Sequence, residues 1–207
     1  MTQQGEPYAL ADPAERNRRV RMLDLPHIAA LTEFVRQLRS SSPSGYRIPY
    51  FDPCDGGVKA RALFLLEAPG ARAVETGFVS RNNPDPTAKN MCDLLSTASL
   101  LRGRTVIWNV IPWYVGSGSK IRPARASDID EATRYLERLL RLLPALQVAV
   151  LVGLKARSVA SRLQALTHAE VLWTYHPSGR VFNVWPNKRA EILAVFRQAE
   201  RNTRNAT

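Results

Sequence analysis

The chain has 207 residues, 45% hydrophobic and 23% charged, a composition that suits one globular domain with a sizeable core. Lysine and arginine outnumber aspartate and glutamate by 29 to 18, and the resulting charge of +11 favours a polyanion such as nucleic acid as the partner. Basic chains also bind acidic proteins or membrane surfaces, so charge alone leaves these partners open.

The two cysteines, Cys54 and Cys92, are too few and too far apart for the zinc and iron–sulfur spacings, which need clustered or fourfold ligands. We therefore expect reduced thiols, no metal and no cofactor. The N-terminal segment lacks the apolar run of a signal peptide, and the longest apolar stretch, at residues 148–154, is too short to span a bilayer. These features predict a soluble, cytoplasmic protein.

Residues 1–12 show no hydrophobic periodicity, and we predict a flexible N-terminal arm followed by a single domain over residues 13–207. The first predicted helix runs from about residue 26 to residue 40, because Pro26 is tolerated in a first helical turn and apolar residues follow at helical spacing. Residues 41–59 are rich in Ser, Pro, Gly and Asp and are predicted to form a surface loop.

The apolar run at residues 62–66 predicts a buried strand that ends in a Glu-Ala-Pro-Gly loop at residues 67–70. In open α/β sheets, ligands bind in the crevice beyond the carboxyl ends of the strands. Small residues in this loop let backbone amides approach a ligand closely, and Gly70 accepts positive φ at little steric cost. An ordinary strand-to-helix turn is the alternative interpretation.

Strand and helix patterns alternate over the rest of the chain. Asp85 and Pro86 are typical of an N-cap and a first helical turn, and Ser127 with the acidic residues after it resembles a capping box. Further strands are predicted at residues 105–110, 147–152 and 171–174, and further helices at residues 154–166 and 187–201. This alternation predicts an α/β fold, a single domain whose central four-stranded parallel sheet is flanked by helices.

Three side chains occupy loops at the edge where the carboxyl ends of parallel strands meet: Phe78, Asn109 and His176. An aromatic face stacks on a base, a buried Asn amide reads the edge of a pyrimidine, and an imidazole donates to an oxygen that becomes negative in a transition state. Each residue also has a structural interpretation, as a core phenylalanine, a satisfied turn residue and a structural histidine respectively.

A flexible basic segment follows the predicted strand at residues 105–110. Its residues Lys120 and Arg122 are candidates for contacts with phosphate groups. A solvated surface loop is the alternative interpretation of this segment.

The strings LLEAPG, FVSR, WNVIPW and YHPS occur in this order and at intervals suited to a βαβ chain. Together they resemble the uracil-DNA glycosylase superfamily, from about Asp52 to the last helix. The resemblance implies an enzyme that flips uracil out of single- or double-stranded DNA and hydrolyses the N-glycosidic bond without a metal. A monomer is the expected state, and the absence of lysine from the matched pocket positions argues against a Schiff-base lyase step.

The resemblance also implies roles for individual residues. Phe78 would stack on uracil, Asn109 would bind its N3–H and O4 edge, and His176 would stabilise charge on O2 as the base leaves. The pocket would be shaped by the backbone of three small residues: Ala68, Pro69 and Gly70.

The segment after the YHPS string matches the loop that enters the minor groove in this superfamily. Its residues are predicted to contact DNA, with Arg180 or Phe182 as the wedge. The whole predicted DNA-contacting segment comprises Ser178, Gly179, Arg180, Val181 and Phe182.

The sequence departs from the superfamily at several positions. Ala68 stands where several members have an Asp or Asn that positions the attacking water. Glu67 and Asp85 become candidates for that role, and Glu75 and Asn82 are other polar residues nearby. Gly70 stands where the best-known branch has a Tyr that blocks the thymine methyl group. Because the iron–sulfur branch needs four cysteines, the resemblance indicates a cluster-free member outside the main branches.

Two other functions remain open at this point. A DNA-binding module could capture uracil or abasic sites with little turnover, since Ala68 lacks the water-positioning group. A glycosylase for another deaminated base, such as hypoxanthine or xanthine, is compatible with a roomier pocket beside Gly70.

Overall fold

The structure, a computed structural model, describes residues 5–43, 45–117 and 120–204. None of the helices in this part of the chain is long and apolar enough to cross a membrane. In chain order, the α-helices are α1 (Pro13–Val20), α2 (Ala29–Ser41), α3 (Ala71–Thr76), α4 (Pro86–Thr97), α5 (Ala126–Thr133), α6 (Leu136–Arg141), α7 (Leu154–Arg157), α8 (Ala160–Leu166), α9 (Gly179–Val184) and α10 (Lys188–Arg204).

Short 3-10 turns cover Ala9–Ala11, Gly57–Lys59 and Arg102–Arg104. The β-strands are β1 (Tyr50–Phe51), β2 (Ala62–Leu66), β3 (Phe78–Val79), β4 (Thr105–Asn109), β5 (Gly116–Ser117), β6 (Lys120–Ile121), β7 (Val148–Val152) and β8 (Glu170–Thr174).

The central sheet has four parallel strands in the order β4-β2-β7-β8. Leu66 at the end of β2 pairs with Asn109 at the end of β4, and Val152 at the end of β7 pairs with Thr174 at the end of β8. The carboxyl ends of all four strands therefore lie at one edge. The prediction of a single α/β domain with a four-stranded parallel sheet is confirmed.

Helices cover both faces of the sheet, which is why β4 and β7 are buried along their whole length and read as continuous apolar runs. On one side, Phe64 meets Phe196 of α10 with ring centroids 4.9 Å apart. On the other, Phe51 stacks on Trp108 at 3.7 Å. Of the two edge strands, β4 is buried, whereas β8 stays partly exposed.

Several helix boundaries differ from those predicted. α2 begins at Ala29 rather than near residue 26, because residues 21–28 form turns. The helix predicted at residues 154–166 is divided into α7 and α8, and the one expected after Ser127 is divided into α5 and α6. The N-cap of α5 is Arg125 rather than Ser127, and Asp128, the third residue of the helix, accepts the backbone N–H of Arg125 at 2.7 Å.

The flexible-arm prediction is wrong for residues 5–12. Leu10 is fully buried against Leu23 and Phe78, and its backbone N–H donates to the Asn82 carbonyl at 3.1 Å. Asp12 caps α1, a helix that the sequence analysis missed, by accepting the Ala14 N–H at 2.8 Å. Burial of Leu10 therefore fixes the N-terminal segment to the body of the domain. Residues 1–4 of the predicted arm lie outside the described residues.

Candidate functional site

A cavity of about 420 Å³ opens at the carboxyl edge of the sheet, beyond the ends of β2 and β4. Its volume lies within the range of small-molecule sites. Six of the residues singled out from the sequence line it together: Ala68, Pro69, Gly70, Asp85, Asn109 and His176. They meet because four strand ends and the start of α4 converge at this edge.

Asn109 is the last residue of β4 and is only 3% exposed. Its side-chain Nδ2 is buried and has no hydrogen-bond partner among the described residues. An unsatisfied buried donor costs about 1–3 kcal/mol, so native proteins rarely keep one without a reason. In a cavity lining, such a donor is available to a ligand that brings an acceptor.

His176 follows β8 and enters the same cavity. Burial lowers the pKa of His176, and the Glu67 carboxylate acts more weakly in the opposite direction. The ring is therefore neutral at pH 7 and carries one N–H donor.

Gly153, at the end of β7, supports the position of His176. Its φ is +98°, and a Cβ at this position would lie 3.3 Å from the Cβ of His176. The backbone conformation favours glycine here, and a larger residue would also press against His176. This role depends on packing between β7 and the loop after β8, which no local sequence pattern indicates.

Asp85 is the carboxylate residue among the described residues that line the cavity. Its Oδ1 accepts the Ala88 N–H at 2.9 Å, so the predicted N-cap of α4 is confirmed. Burial raises the pKa of Asp85, although its backbone hydrogen bonds act in the other direction. A half-buried carboxylate of this kind can accept a proton from water.

Glu67 is held away from this cavity. Its Oε1 accepts the Ala124 N–H at 3.0 Å, which ties the end of β2 to the segment before α5. The residue lines a second cavity on the other side of His176. The geometry thus gives Glu67 a structural contact and leaves Asp85 as the acidic residue in the first cavity.

Phe78 does not reach the cavity either. It is 1% exposed, lies in β3 and packs against Leu10, Leu23 and Tyr50. The predicted stacking of Phe78 on a base is therefore not supported by its position. The competing interpretation, a core phenylalanine, describes what the structure contains, because the N-terminal segment covers this side chain.

The loop after β3 forms one wall of the cavity through Ser80, Arg81 and Asn83. The side chain of Asn83 in this wall bonds within the protein. The Asn83 amide donates to the Phe78 carbonyl at 2.9 Å, and the Thr76 hydroxyl donates to Asn83 Oδ1 at 2.7 Å.

A buried ionic network holds this loop from behind. Arg102 donates to Asp52 at 2.7 Å and to Asp55 at 2.9 Å, while Arg81 lies 3.2 Å from Asp55 and Arg19 pairs with Asp52. Despite full burial, the guanidinium groups of Arg102 and Arg19 lower the pKa of Asp52. Burial dominates at Asp55 and raises its pKa. The network joins α1 to the cavity wall.

The predicted DNA-contacting segment forms α9. Ser178 caps this helix by accepting the Val181 N–H at 3.3 Å, and Gly179 is its first residue. Arg180 is exposed, whereas Phe182 is partly buried against the core with the Arg189 guanidinium 5.4 Å from its ring. Arg180 is therefore the more accessible of the two predicted wedge residues.

The predicted basic loop contains the strands β5 and β6. Arg122 makes two hydrogen bonds to Asp128, at 2.7 and 2.8 Å, so its charge is already paired. The side chain of Lys120 lies outside the described residues. Over the part of the chain that the structure describes, no group of three or more His, Cys, Asp or Glu side chains is arranged to hold a metal ion.

The fold and the cavity define an α/β protein with its ligand site at the carboxyl edge of a parallel sheet. The family model of the uracil DNA glycosylase superfamily matches residues 53–199. The chain belongs to this superfamily.

A solution NMR structure from Methanosarcina acetivorans, described provisionally as a uracil DNA glycosylase, is similar at a TM-score of 0.48 and 20% sequence identity. The match covers 69% of this chain and 92% of that one. The search of curated proteins gives no match.

Proposed function

We propose that this protein is a monofunctional DNA glycosylase that flips uracil out of single- or double-stranded DNA and leaves an abasic site. The observation that carries the proposal is the unpaired, buried Nδ2 of Asn109 in a cavity that His176 also lines. A pyrimidine edge offers both a carbonyl acceptor and an N–H donor, which a carboxamide can match simultaneously. Membership of the superfamily and the net charge of +11 agree with a DNA substrate.

In the proposed reaction, the bond between N1 of uracil and C1′ of deoxyribose breaks, and its electron pair leaves with the base. The negative charge that develops on O2 accepts a hydrogen bond from the neutral imidazole of His176. A donor placed at such a charge before the reaction is worth about 10²–10³ in rate. Asn109 holds the other edge of the base and fixes its orientation.

Water completes the reaction by adding to C1′ and giving up one proton. We assign the proton acceptor to Asp85, because Ala68 has no polar side chain and Glu67 bonds to Ala124 instead. Burial raises the pKa of Asp85, which brings its proton affinity closer to that of an effective base. Proton transfer of this kind contributes about 10²–10⁴-fold.

A second candidate activity is the excision of other altered bases, such as hypoxanthine or xanthine. It rests on Gly70, where an added Cβ would meet no atom within 4 Å. Gly70 lines the cavity, so a larger base or a 5-substituted pyrimidine would find open space beside it. Competition among base-modified oligonucleotides separates this activity from uracil excision.

The test is excision from an end-labelled oligonucleotide that carries one uracil, with and without a magnesium chelator, followed by alkali. The proposal predicts strand cleavage only after alkali and no effect of the chelator. An intact strand, with a gel shift that still prefers uracil or abasic DNA, would contradict the proposal and indicate a lesion-binding module.

A further inference from the structure

A second cavity, of about 440 Å³, lies next to the first one. His176 lines both cavities, so the two cavities meet at this residue. The second cavity is bounded by the end of β7, the start of α7, the loop after β8 and the segment between α9 and α10. The mechanism proposed above does not use this space.

The walls of the second cavity combine apolar and aromatic groups. Val152, Tyr175 and Val181 line it, and Trp185 adds a large indole that remains 56% exposed. Leu154, also in the lining, is 71% exposed. Exposed large apolar side chains gathered around a cavity mark an interaction site. An indole with a free face is a platform on which any nucleobase can stack.

The charges around this cavity favour an anionic strand. Lys155 and Lys188 line it together with one carboxylate, Glu67, which accepts the Ala124 N–H, and Arg180 and Arg189 are exposed on the neighbouring helices. Glu191 pairs with Lys188 at 2.9 Å, but the Lys188 ammonium also lies 4.0 Å from the Tyr175 ring centroid. Aromatic walls with a basic rim are the combination that binds single-stranded nucleic acid, because bases stack while phosphates meet the cations.

We propose that the second cavity holds the base of the nucleotide next to the uracil on the same strand. The proposal rests on the proposed function, since it takes the first cavity as the uracil site. Adjacent nucleotides share one phosphate, so their bases can occupy two cavities that share one wall. Trp185 is the stacking residue, and Lys155 and Lys188 meet the phosphates on either side of the neighbouring nucleotide.

The proposal has a direct consequence for substrate choice. Two neighbouring bases must leave the stack, and extruding a base from a duplex requires a few kcal/mol, much less in a single strand. Uracil in single-stranded DNA is therefore the preferred substrate. Because stacking tolerates any base, the identity of the neighbour has little effect.

The experiment removes the neighbouring base and the indole separately and together. Single-stranded oligonucleotides carry uracil flanked by a normal nucleotide or by a tetrahydrofuran abasic analogue, placed on the 5′ side in one set and on the 3′ side in another. We expect the analogue on one side to lower kcat/KM about tenfold for the wild type. In Trp185→Ala, the same replacement has no further effect.

Two further variants serve as controls for these measurements. Trp173→Ala removes another exposed tryptophan, 38% exposed in β8 and outside the lining of the second cavity, and should keep the wild-type dependence on the neighbour. Trp185→Phe keeps a stacking ring and should restore most of the effect. Thermal unfolding of each variant shows whether the fold is retained.

The same series is also measured as binding, with an uncleavable 2′-fluoro-deoxyuridine in place of deoxyuridine. If no excision occurs at all, the proposed function fails, and the loss of affinity on removing the neighbouring base still tests the second cavity. The inference is overturned if neither flank matters in the wild type, or if Trp185→Ala keeps the full dependence on the neighbour.

Discussion

The two sides of the cavity at the sheet edge differ in how their polar groups are used. In the loop after β3, Asn83 bonds to Thr76 and Phe78, and Arg81 is anchored to Asp55. At the strand ends, the Nδ2 of Asn109 has no partner among the described residues, and His176 presents a neutral imidazole. We call the loop after β3 the scaffold, because its asparagine bonds within the protein. We call the strand ends the reactive side, because the polar groups of Asn109 and His176 are available to a ligand. Substitutions on the two sides should accordingly affect different measurements.

The largest expected effect is on stability, at the centre of the scaffold. Arg102→Ala leaves Asp52 and Asp55 without their shared partner, and breaking buried pairs in this way costs about 3–5 kcal/mol. Urea denaturation measures the loss. Arg104→Ala, on the same 3-10 turn, is the matched control and should change stability by less than about 1 kcal/mol.

The next largest effect is on catalysis at the reactive side. His176→Ala removes the donor to the leaving base and should lower the single-turnover excision rate about 10²–10³-fold. The unfolding free energy should change little, because the residue is only half-buried and makes no ion pair in the described part of the chain. A large loss of stability together with full activity in the folded fraction would contradict the assignment.

Two buried asparagines in the same cavity give the sharpest comparison. Asn109→Ala should reduce excision about 10²-fold with little loss of stability, since its unpaired Nδ2 contributes no bond to the fold. Asn83→Ala breaks two hydrogen bonds and should destabilise the protein by about 2–3 kcal/mol. Urea denaturation and the excision rate, measured on both variants, show which asparagine contributes to stability and which to catalysis. The opposite pattern would erase the distinction between scaffold and reactive side.

Asp85→Asn tests the proposed base while keeping the helix cap, because Asn and Asp cap helices about equally well. We expect a loss of about 10²-fold in excision at neutral pH. Burial raises the pKa of Asp85, so this carboxylate is protonated at a higher pH than an ordinary aspartate. As the pH is lowered, wild-type activity should therefore begin to fall at a correspondingly higher pH. That acid limb should be absent in Asp85→Asn. An unchanged profile between about pH 4 and 8 would exclude Asp85 as the base.

The smallest expected effect concerns substrate range. A Cβ at Gly70 meets no atom within 4 Å, and its φ of −76° suits other residues, so Gly70→Ala and Gly70→Tyr should fold normally. We expect Gly70→Tyr to lower the excision of 5-substituted uracils by about tenfold relative to uracil, because the ring fills the space beside the base. Equal effects on both substrates would indicate that the open space lies elsewhere.

The sequence predicted the sheet and much of the site because both depend on local signals. Apolar runs such as residues 62–66 form buried strands, and residues at the ends of parallel strands must meet at one edge. Asn109 and His176 could therefore be placed together from their order along the chain alone.

Other features depend on contacts between distant segments. Phe78 is buried by Leu10, which the sequence placed in a flexible arm. Arg19, Arg81 and Arg102 are buried against Asp52 and Asp55, and single arginines in a sequence give no sign of such partners. The second cavity is formed by the end of β7 and the segment after α9, whose proximity no local pattern indicates.

The most direct test of the reactive side is the NMR signal of the Asn109 side-chain amide, identified by its loss in Asn109→Ala. Labelled protein is titrated with a DNA oligonucleotide carrying 2′-fluoro-deoxyuridine, and the same strand with 2′-fluoro-deoxycytidine at that position is the control. The account predicts that the Asn109 amide signal shifts downfield only with the strand that carries the uracil analogue, because the unpaired Nδ2 then acquires an acceptor. An Asn109 signal that stays unchanged while the rest of the protein responds to DNA would contradict it.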